Sequence, residues 1–286
     1  MKRKTILLSL GGIVLAVVLA AGIFFGLYIY PFMKSMKTTK TIAYDDHLTL
    51  ILGGGGNTGI LQSDSLILVI DSKMDDAAVK LHDTIMKIAN GRKIIVVNTH
   101  VHGDHVSGNE WFKGNKIIAG GDYTKEFWLD EAGDKTLPTD WVKDRLDLKV
   151  GDETVTILNL AKHVHTMSDV VVYLHNRKML FTGDVVLNKQ APAMMKGHGA
   201  DYKGYLAAFD LLQKDFDIHE IVPGHGDVGG TEVIDVYRQY FKDMETAAKD
   251  PAKESELVEK YKGWKQIPFL MSPGATIHFI KEEDEK

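Results

Sequence analysis

The stretch Thr99-His100-Val101-His102-Gly103-Asp104-His105, THVHGDH, sets four potential metal ligands within six positions: His100, His102, Asp104 and His105. It directly follows KIIVVN at 93–98, an apolar, β-branched run between the breaker Asn90-Gly91 and the polar cluster, which reads as a buried strand. His100 and His102 stand two apart, so in an extended segment their imidazoles fall on the same side. Gly103 lets the backbone turn, Asp104 and His105 swing toward a second point, and GNEWF at 108–112 begins a helix. Two ligand pairs on one short turn suit a two-metal site, whose ions stand about 3.5–4 Å apart. The plainer alternative is a polar surface loop that happens to be rich in histidine.

Outward from that turn, the 286 residues are 44% hydrophobic and 26% charged, the balance of an ordinary globular protein with one sizeable domain. The first 40 residues carry six basic and no acidic side chains, so the overall charge of −5 leaves roughly −11 on the remainder. A domain that acidic repels polyanions, and nucleic acid is therefore not an expected partner. The chain has no cysteine, which excludes thiolate zinc ligands and a lipidated cysteine anchor, and fits an exported domain.

The N-terminus departs from the globular pattern. Lys2, Arg3 and Lys4 precede an uncharged run from Thr5 to Phe32. A helix needs about 20 such residues to cross a bilayer core, whereas a cleavable signal has an apolar core of about 7 to 15. Ala20-Ala21 could supply a cleavage site, yet apolar residues continue through Tyr30, and Tyr28 and Tyr30 suit an interfacial belt. The expectation is one uncleaved transmembrane helix, with residues 1–40 as anchor and juxtamembrane linker and 41–286 as the working domain. Three basic residues and the free amine before the span, against Lys34, Lys37 and Lys40 after it, lean toward a cytoplasmic N-terminus. The chain is then a single-pass protein of the cell membrane with its domain outside the cytoplasm.

From residue 41, strands and helices alternate. Leu48 to Leu52 and Ser65 to Asp71 read as strands, and 75–89 as an amphipathic helix stopped by Asn90-Gly91. With KIIVVN the pattern is βαβ. The run Gly53 to Gly56 is not a phosphate loop, because no Gly-Lys-Ser/Thr follows and another strand does; it reads as a turn between paired strands. Lys116 to Ala119 is a further strand, and 121–148 reads as a polar, loop-like stretch in which Trp128 and Trp141 either pack or wall a cleft. Strands at 155–160, 170–174, 179–181 and 220–222 lead toward His163-Val164-His165-Thr166, Thr182-Gly183-Asp184 and Pro223-Gly224-His225-Gly226. Helices are expected at 203–213 and 230–248, and KEEDEK at 281–286 as a solvated tail. Strand ends carrying His and Asp point to one cleft along the carboxyl edge of the sheets.

THVHGDH, then HTMSD at 165–169, FTGD at 181–184 and PGHG at 223–226 resemble, in order and spacing, the metal motifs of the metallo-β-lactamase fold superfamily, over about residues 45–245. The resemblance implies an α/β fold of αββα type: two mixed sheets face to face, helices outside, a dinuclear site at one edge. It further implies that His100, His102 and His165 bind one metal, that Asp104, His105 and His225 bind the other, and that Asp184 bridges. Thr166 and Asp169 follow His165 at the family spacing, which selects it over His163. Asp169 either braces a ligand histidine or forms a turn, and His163 and His198 are candidates for contacts around the site. His47, His82, His175, His219 and His278 lie away from every motif and receive no role, and Tyr202 and Tyr205, at helical spacing, are expected to pack.

Five imidazoles and two carboxylates form a ligand set for two Zn²⁺, with iron or manganese as alternatives. Two ions sharing a water lower its pKa from about 15.7 to about 7, giving a bridging hydroxide that attacks, with Asp104 as the catalytic group that orients it or takes its proton. Aspartate at 184 resembles glyoxalase II and the lactonases, where β-lactamases proper have Cys or Ser. The expectation is a membrane-anchored, metal-dependent hydrolase of a small-molecule ester, thioester, lactone or related bond. The alternatives are a β-lactamase proper and a non-catalytic metal-binding scaffold on the membrane surface.

Overall fold

The computed structural model describes residues 2–160 and 163–284, with side chains from residue 13 onward. Helix α1 (Lys2–Phe24) continues through one π-helical stretch, Phe25–Ile29, into α2 (Tyr30–Lys37). Met1 lies outside the described residues. Only Thr38 separates α2 from strand β1 (Thr39–Ala43), so helix and strand take the place of the expected linker.

Among the described residues, twelve strands form two mixed sheets. In the first, β1 leads antiparallel into β2 (Leu48–Gly53), β3 (Thr58–Gln62) and β4 (Leu66–Ile70). Helix α3 (Asp75–Ala89), ending on left-handed Asn90, then crosses to parallel strand β5 (Lys93–Val97), as the βαβ pattern requires. After the single turn α4 (Gly103–Val106) come β6 (Lys116–Gly120), α5 (Lys125–Ala132) and β7 (Asp140–Val142), with β6 and β7 extending the parallel half. The second sheet runs from edge strand β8 (Arg145–Val150) through β9 (Glu153–Asn159), β10 (Val170–Leu174) and β11 (Met179–Gly183). Helix α6 (Tyr202–Asp215) connects β11 to its parallel neighbour β12 (Glu220–Pro223). Helices α7 (Glu232–Lys249), α8 (Glu254–Lys260) and α9 (Pro273–Asp284) close the chain.

The period of two along each strand sorts side chains between layers. Ile67, Val69, Ile94 and Val96 pack against Leu81 and Ile85 of α3, whereas Leu68, Ile70 and Val97 join Val170, Val172 and Phe181 between the sheets. On the far side Val171, Tyr173 and Leu180 meet Tyr205, Phe209, Tyr237 and Phe241 of α6 and α7. Helix, sheet, sheet and helix thus form the four expected layers.

Three local expectations are corrected. The stretch 121–148 contains a helix and two strands: α5 is capped by Thr124, whose side chain accepts from Phe127 N, and β8 is an edge strand alternating exposed and half-buried positions. Helical structure begins at Gly103 and continues as 3-10 turns through Ser107–Phe112 rather than starting at GNEWF. Residues 281–284 belong to α9, which buries Ile277 and Ile280, while Glu285 and Lys286 lie outside the described residues.

Candidate metal centre

Strand ends place the site. β5 runs out into His100 and His102, the loop after β9 brings His165, and β11 and β12 end at Asp184 and His225, all on one edge. The structure brings together all seven residues singled out in the sequence. Three groups, His100/His102/His165, His100/His105/Asp184 and Asp104/His105/His225, each have their ligand atoms within 4.8 Å of one another.

In the first group the imidazoles stand mutually edge-on, with interplanar angles of 86–88° and ring centroids 4.7–4.9 Å apart. His102 Nδ1 lies 2.9 Å from His165 Nε2. In the third group Asp104 Oδ2 lies 3.0 Å from His225 Nε2 and 3.6 Å from His105 Nε2. Asp184 sits between them: Oδ2 is 3.6 Å from His165 Nε2, and Oδ1 is 3.2 Å from His105 Nε2 and 3.5 Å from His225 Nε2.

These residues fit divalent ions. His100 Nε2, His105 Nε2 and Asp184 Oδ1 are buried without a hydrogen-bond partner among the described residues, although such groups are nearly always satisfied. Burial first, and then neighbouring imidazoles, push His100 well below the usual histidine value and His102 down to about 3; burial likewise lowers His165. Three neutral imidazoles are the ligand form. Burial opposes the charge on Asp184, but His225 and His105 outweigh it and hold the carboxyl well below its usual range. His105 runs the other way: burial would strip its proton, yet Asp104, Asp71 and Asp184 raise it well above the usual value. Negative charge that retains a proton there is equally charge for a cation.

Behind the ligands stand further residues, of which Asp71, Lys73 and Glu131 have no role in the reading of the sequence. Asp71, just past β4, meets His105 Nδ1 at 2.7 Å and accepts from Thr99 N and Thr99 Oγ1 at 2.8 Å each. The available signal was an acid at the carboxyl end of the buried strand SLILVID. Tyr205 does more than pack, since its hydroxyl lies 2.9 Å from His165 Nδ1. Asp169 braces backbone rather than ring, accepting from His165 N at 2.9 Å and Thr166 N at 2.8 Å. His198 Nδ1 lies 2.9 Å from His102 Nε2, and its Nε2 is 3.1 Å from Glu131 of α5. His163 is exposed. Trp128 is buried, donating to Thr136 Oγ1 at 3.0 Å and packing edge-on to Trp141. The glycine turn lies directly against the ligands: Gly56 N donates to Asp104 O at 3.0 Å, and Lys73 Nζ pins the turn through Gly53 O and Gly56 O at 2.6 and 2.7 Å.

Against known proteins, residues 51–225 match the family described as the metallo-beta-lactamase superfamily. The chain is 24% identical over 192 residues to a metallo-beta-lactamase type 2 of Bacteroides fragilis, covering 63% of this chain and 76% of that protein. It is 25% identical over 248 residues to the beta-lactamase-like protein 2 homolog of Caenorhabditis elegans, covering 81% and 79%. Among solved structures, a metallo-beta-lactamase from Pontibacter korlensis superposes with a TM-score of 0.62 at 20% identity, over 72% of this chain and 99% of that one, a likeness of fold.

Proposed function

The chain belongs to the metallo-beta-lactamase superfamily, and from that premise we propose that it is a membrane-anchored hydrolase that uses two zinc ions on an ester, thioester, lactone or related bond. The observation that carries the reading is Asp184, one carboxylate oxygen toward His165 and the other toward His105 and His225. A lone ion would need only one of these groups. His100, His102 and His165 would hold the first ion and Asp104, His105 and His225 the second. Ions so held lower the pKa of water to about 7 and polarise a carbonyl oxygen.

The remaining work falls to the chain. The rings are locked from behind, His105 by Asp71 and His165 by Tyr205, which keeps the donor atoms converged without reorganisation. The Asp104 side chain is 20% exposed, against 9% for His225 and 11% for Asp184. Its carboxylate is therefore the one placed to accept a proton from the attacking water and return it to the leaving group. Ile13–Lys37, helical and apolar enough to cross a bilayer with no part of its apolar stretch buried, supports the anchor, and the basic residues ahead of the span favour a domain outside the cytoplasm.

A β-lactam substrate is the second reading, favoured by the likeness to the metallo-beta-lactamase type 2 of Bacteroides fragilis and opposed by aspartate at 184. Zinc-loaded full-length protein assayed on thioesters, lactones, β-lactams and phosphodiesters decides. The expected result is hydrolysis of an acyl bond, two zinc per chain and a loss of about 100-fold or more in Asp104→Ala. Turnover confined to β-lactams supports the second reading, and inactivity on the whole panel overturns both in favour of a metal-binding scaffold.

A further inference from the structure

The metal cleft has two unlike walls, and the last turns of the N-terminal helix contribute to both. On one side a cavity of about 390 Å³ containing His102, Asp104, His165, Asp184 and His225 is faced by Phe32 and Met36 of α2 and by Met74, Leu187, Met195 and Met271. This wall is apolar and rich in methionine, the side chain that adapts to irregular apolar partners. On the other side a cavity of about 740 Å³ meets the first at Met36, Gln190 and His225. Apart from His225, its ionisable lining is Lys34, Lys40, Lys189 and Lys265 against Asp227 alone.

These four lysines come from three separate parts of the chain: the end of the N-terminal helix with β1, the segment after β11, and the segment after α8. Among the described residues none of the four forms an ion pair, although nine other lysines do. Lys265 is half-buried with its ammonium 4.8 Å from the centre of the Phe32 ring. A partly desolvated ammonium without a counter-ion is costly, and an anion from outside the chain would complete it. Lysines flanking a bilayer span commonly meet lipid headgroups, which would account for Lys34 and Lys40. It does not account for Lys189 and Lys265, which converge from the domain onto the same cavity beside His225. The segment carrying Lys265 and Met271 also turns at Phe269 and Leu270, which are 93% and 56% exposed. An apolar tip next to α2, itself the continuation of the apolar helix, suits contact with a bilayer surface.

We propose that the substrate is an anionic amphiphile taken from the membrane surface. Its apolar chain lies along Phe32, Met36, Met195 and Met271, its carboxylate or phosphate lies among Lys34, Lys189 and Lys265, and the acyl bond between them lies over Asp184 and His225. The assignment rests on the hydrolase reading for the bond that is cut and on the two cavities for what is recognised. One water is consumed: its hydroxyl goes to the acyl carbon, its proton to the leaving alcohol or thiol, and the carboxylic acid formed gives its own proton to solvent and leaves as the carboxylate.

The test uses zinc-loaded full-length protein in phosphatidylcholine nanodiscs, with empty nanodiscs subtracted. Binding of dodecyl phosphate, dodecanoate, dodecyl maltoside and butyl phosphate is measured by calorimetry, alongside hydrolysis of dodecanoyl and butanoyl thioesters of 3-mercaptopropionate and of 2-mercaptoethanol. The expected result is at least tenfold tighter binding of a twelve-carbon anion than of either butyl phosphate or dodecyl maltoside. That preference should fall at least tenfold in Lys189→Gln/Lys265→Gln, with the single variant Lys34→Gln as a second reading should the double variant unfold. The tighter of dodecyl phosphate and dodecanoate identifies the anion. Equal binding of the four probes, or a preference unchanged in both variants, overturns the proposal. Thioester hydrolysis without dependence on chain length or charge overturns it while leaving the hydrolase reading intact. Lysine-dependent binding of the twelve-carbon anion with every thioester untouched supports the site and overturns the hydrolase reading instead.

Discussion

Replacing Gly56 with alanine should cost the protein half of its metal. A methyl carbon built there lies 2.5 Å from Nδ1 and 2.6 Å from Nε2 of His105, where unstrained contacts are about 3.5 Å or more. The ring is fully buried and boxed in by the His100 ring at 4.2 Å, the His225 ring at 5.4 Å and Asp71, 2.7 Å from Nδ1. Relief requires a shift of about 1 Å, which breaks the bond to Asp71 and carries Nε2 away from a ligand distance of about 2.0–2.1 Å. Overpacking costs about 1–3 kcal/mol and the lost charge-assisted bond about 1.5–3 kcal/mol, so about 3 kcal/mol is a fair lower figure. In a domain of this size that lowers Tm by about 6–12 °C.

Gly103 is the control, and it inverts what the sequence suggests. It stands in the middle of THVHGDH, where the sequence reading assigns a glycine to the turn. In the structure its backbone is helical, not left-handed, and an added Cβ meets only Ser107 Oγ at 3.4 Å. Alanine at the first position of α4 should therefore be accepted. Metal content after dialysis, read by mass spectrometry beside a thermal melt, should give about one zinc per chain for Gly56→Ala and about two for Gly103→Ala under the two-ion reading. Parental zinc content and Tm in Gly56→Ala would refute the packing argument.

Three further outcomes follow from the same geometry. Asp71→Asn removes the charge behind His105 and should weaken the second ion about 10- to 100-fold in chelator competition; unchanged affinity would mean that Asp71 serves only the backbone of Thr99. Lys73→Met leaves the carbonyls of Ile51, Gly53 and Gly56 without their shared donor and should cost about 3 kcal/mol or more in urea unfolding, an unmoved midpoint counting against it. Metal-free protein should gain stability up to about pH 6.5. Below that, His102, lowered to about 3 by burial, binds its proton only in the unfolded chain, so stability rises as pH climbs from 3 to 6.5. Above it two buried groups oppose each other: His105, raised by its carboxylates, holds a proton that the unfolded chain has lost, whereas Lys73, lowered to about 7 by burial, has lost one that the unfolded chain keeps, so the rise should level off, and a melt series that is flat between pH 3 and 6.5 would contradict the reading of His102.

The seven residues that converge were legible because the chemistry expected of them restricts residue type and they flank strand ends, where apolar runs give way abruptly to His and Asp. The layers were legible for a related reason: strands such as SLILVID and KIIVVN are apolar on both faces, which only a sheet covered on both sides accommodates. The helix α5 and edge strand β8 were not, because a two-turn helix has too few positions to establish a period and β8 buries little of its length. Glu131 carries no local signal at all. It matters only through His198, 67 positions along the chain, and nothing in either segment announces the pairing.

What the sequence hides most completely is how unequally the two halves of the centre are supported. His105 is fixed from three directions: by Asp71 at Nδ1, by the glycine turn against its ring, and by Lys73, which pins that turn from the far side. Asp71 also holds Thr99 by both its N–H and its hydroxyl, and Thr99 is the residue before His100. The parallel pair β4 and β5 thus governs one ligand of each half through a single carboxylate. At their rings the other histidines of the first group rely on one contact each from behind, Tyr205 on His165 and His198 on His102, with Asp169 holding His165 only by its backbone. His198 lies in the short segment Lys196–His198, and neighbouring Met195 faces the apolar cavity. Disturbance from the cleft therefore reaches His102 by a shorter mechanical path than it reaches His105, so substitutions on this wall should move the His102 side of the centre, while substitutions in the glycine turn should move the His105 side.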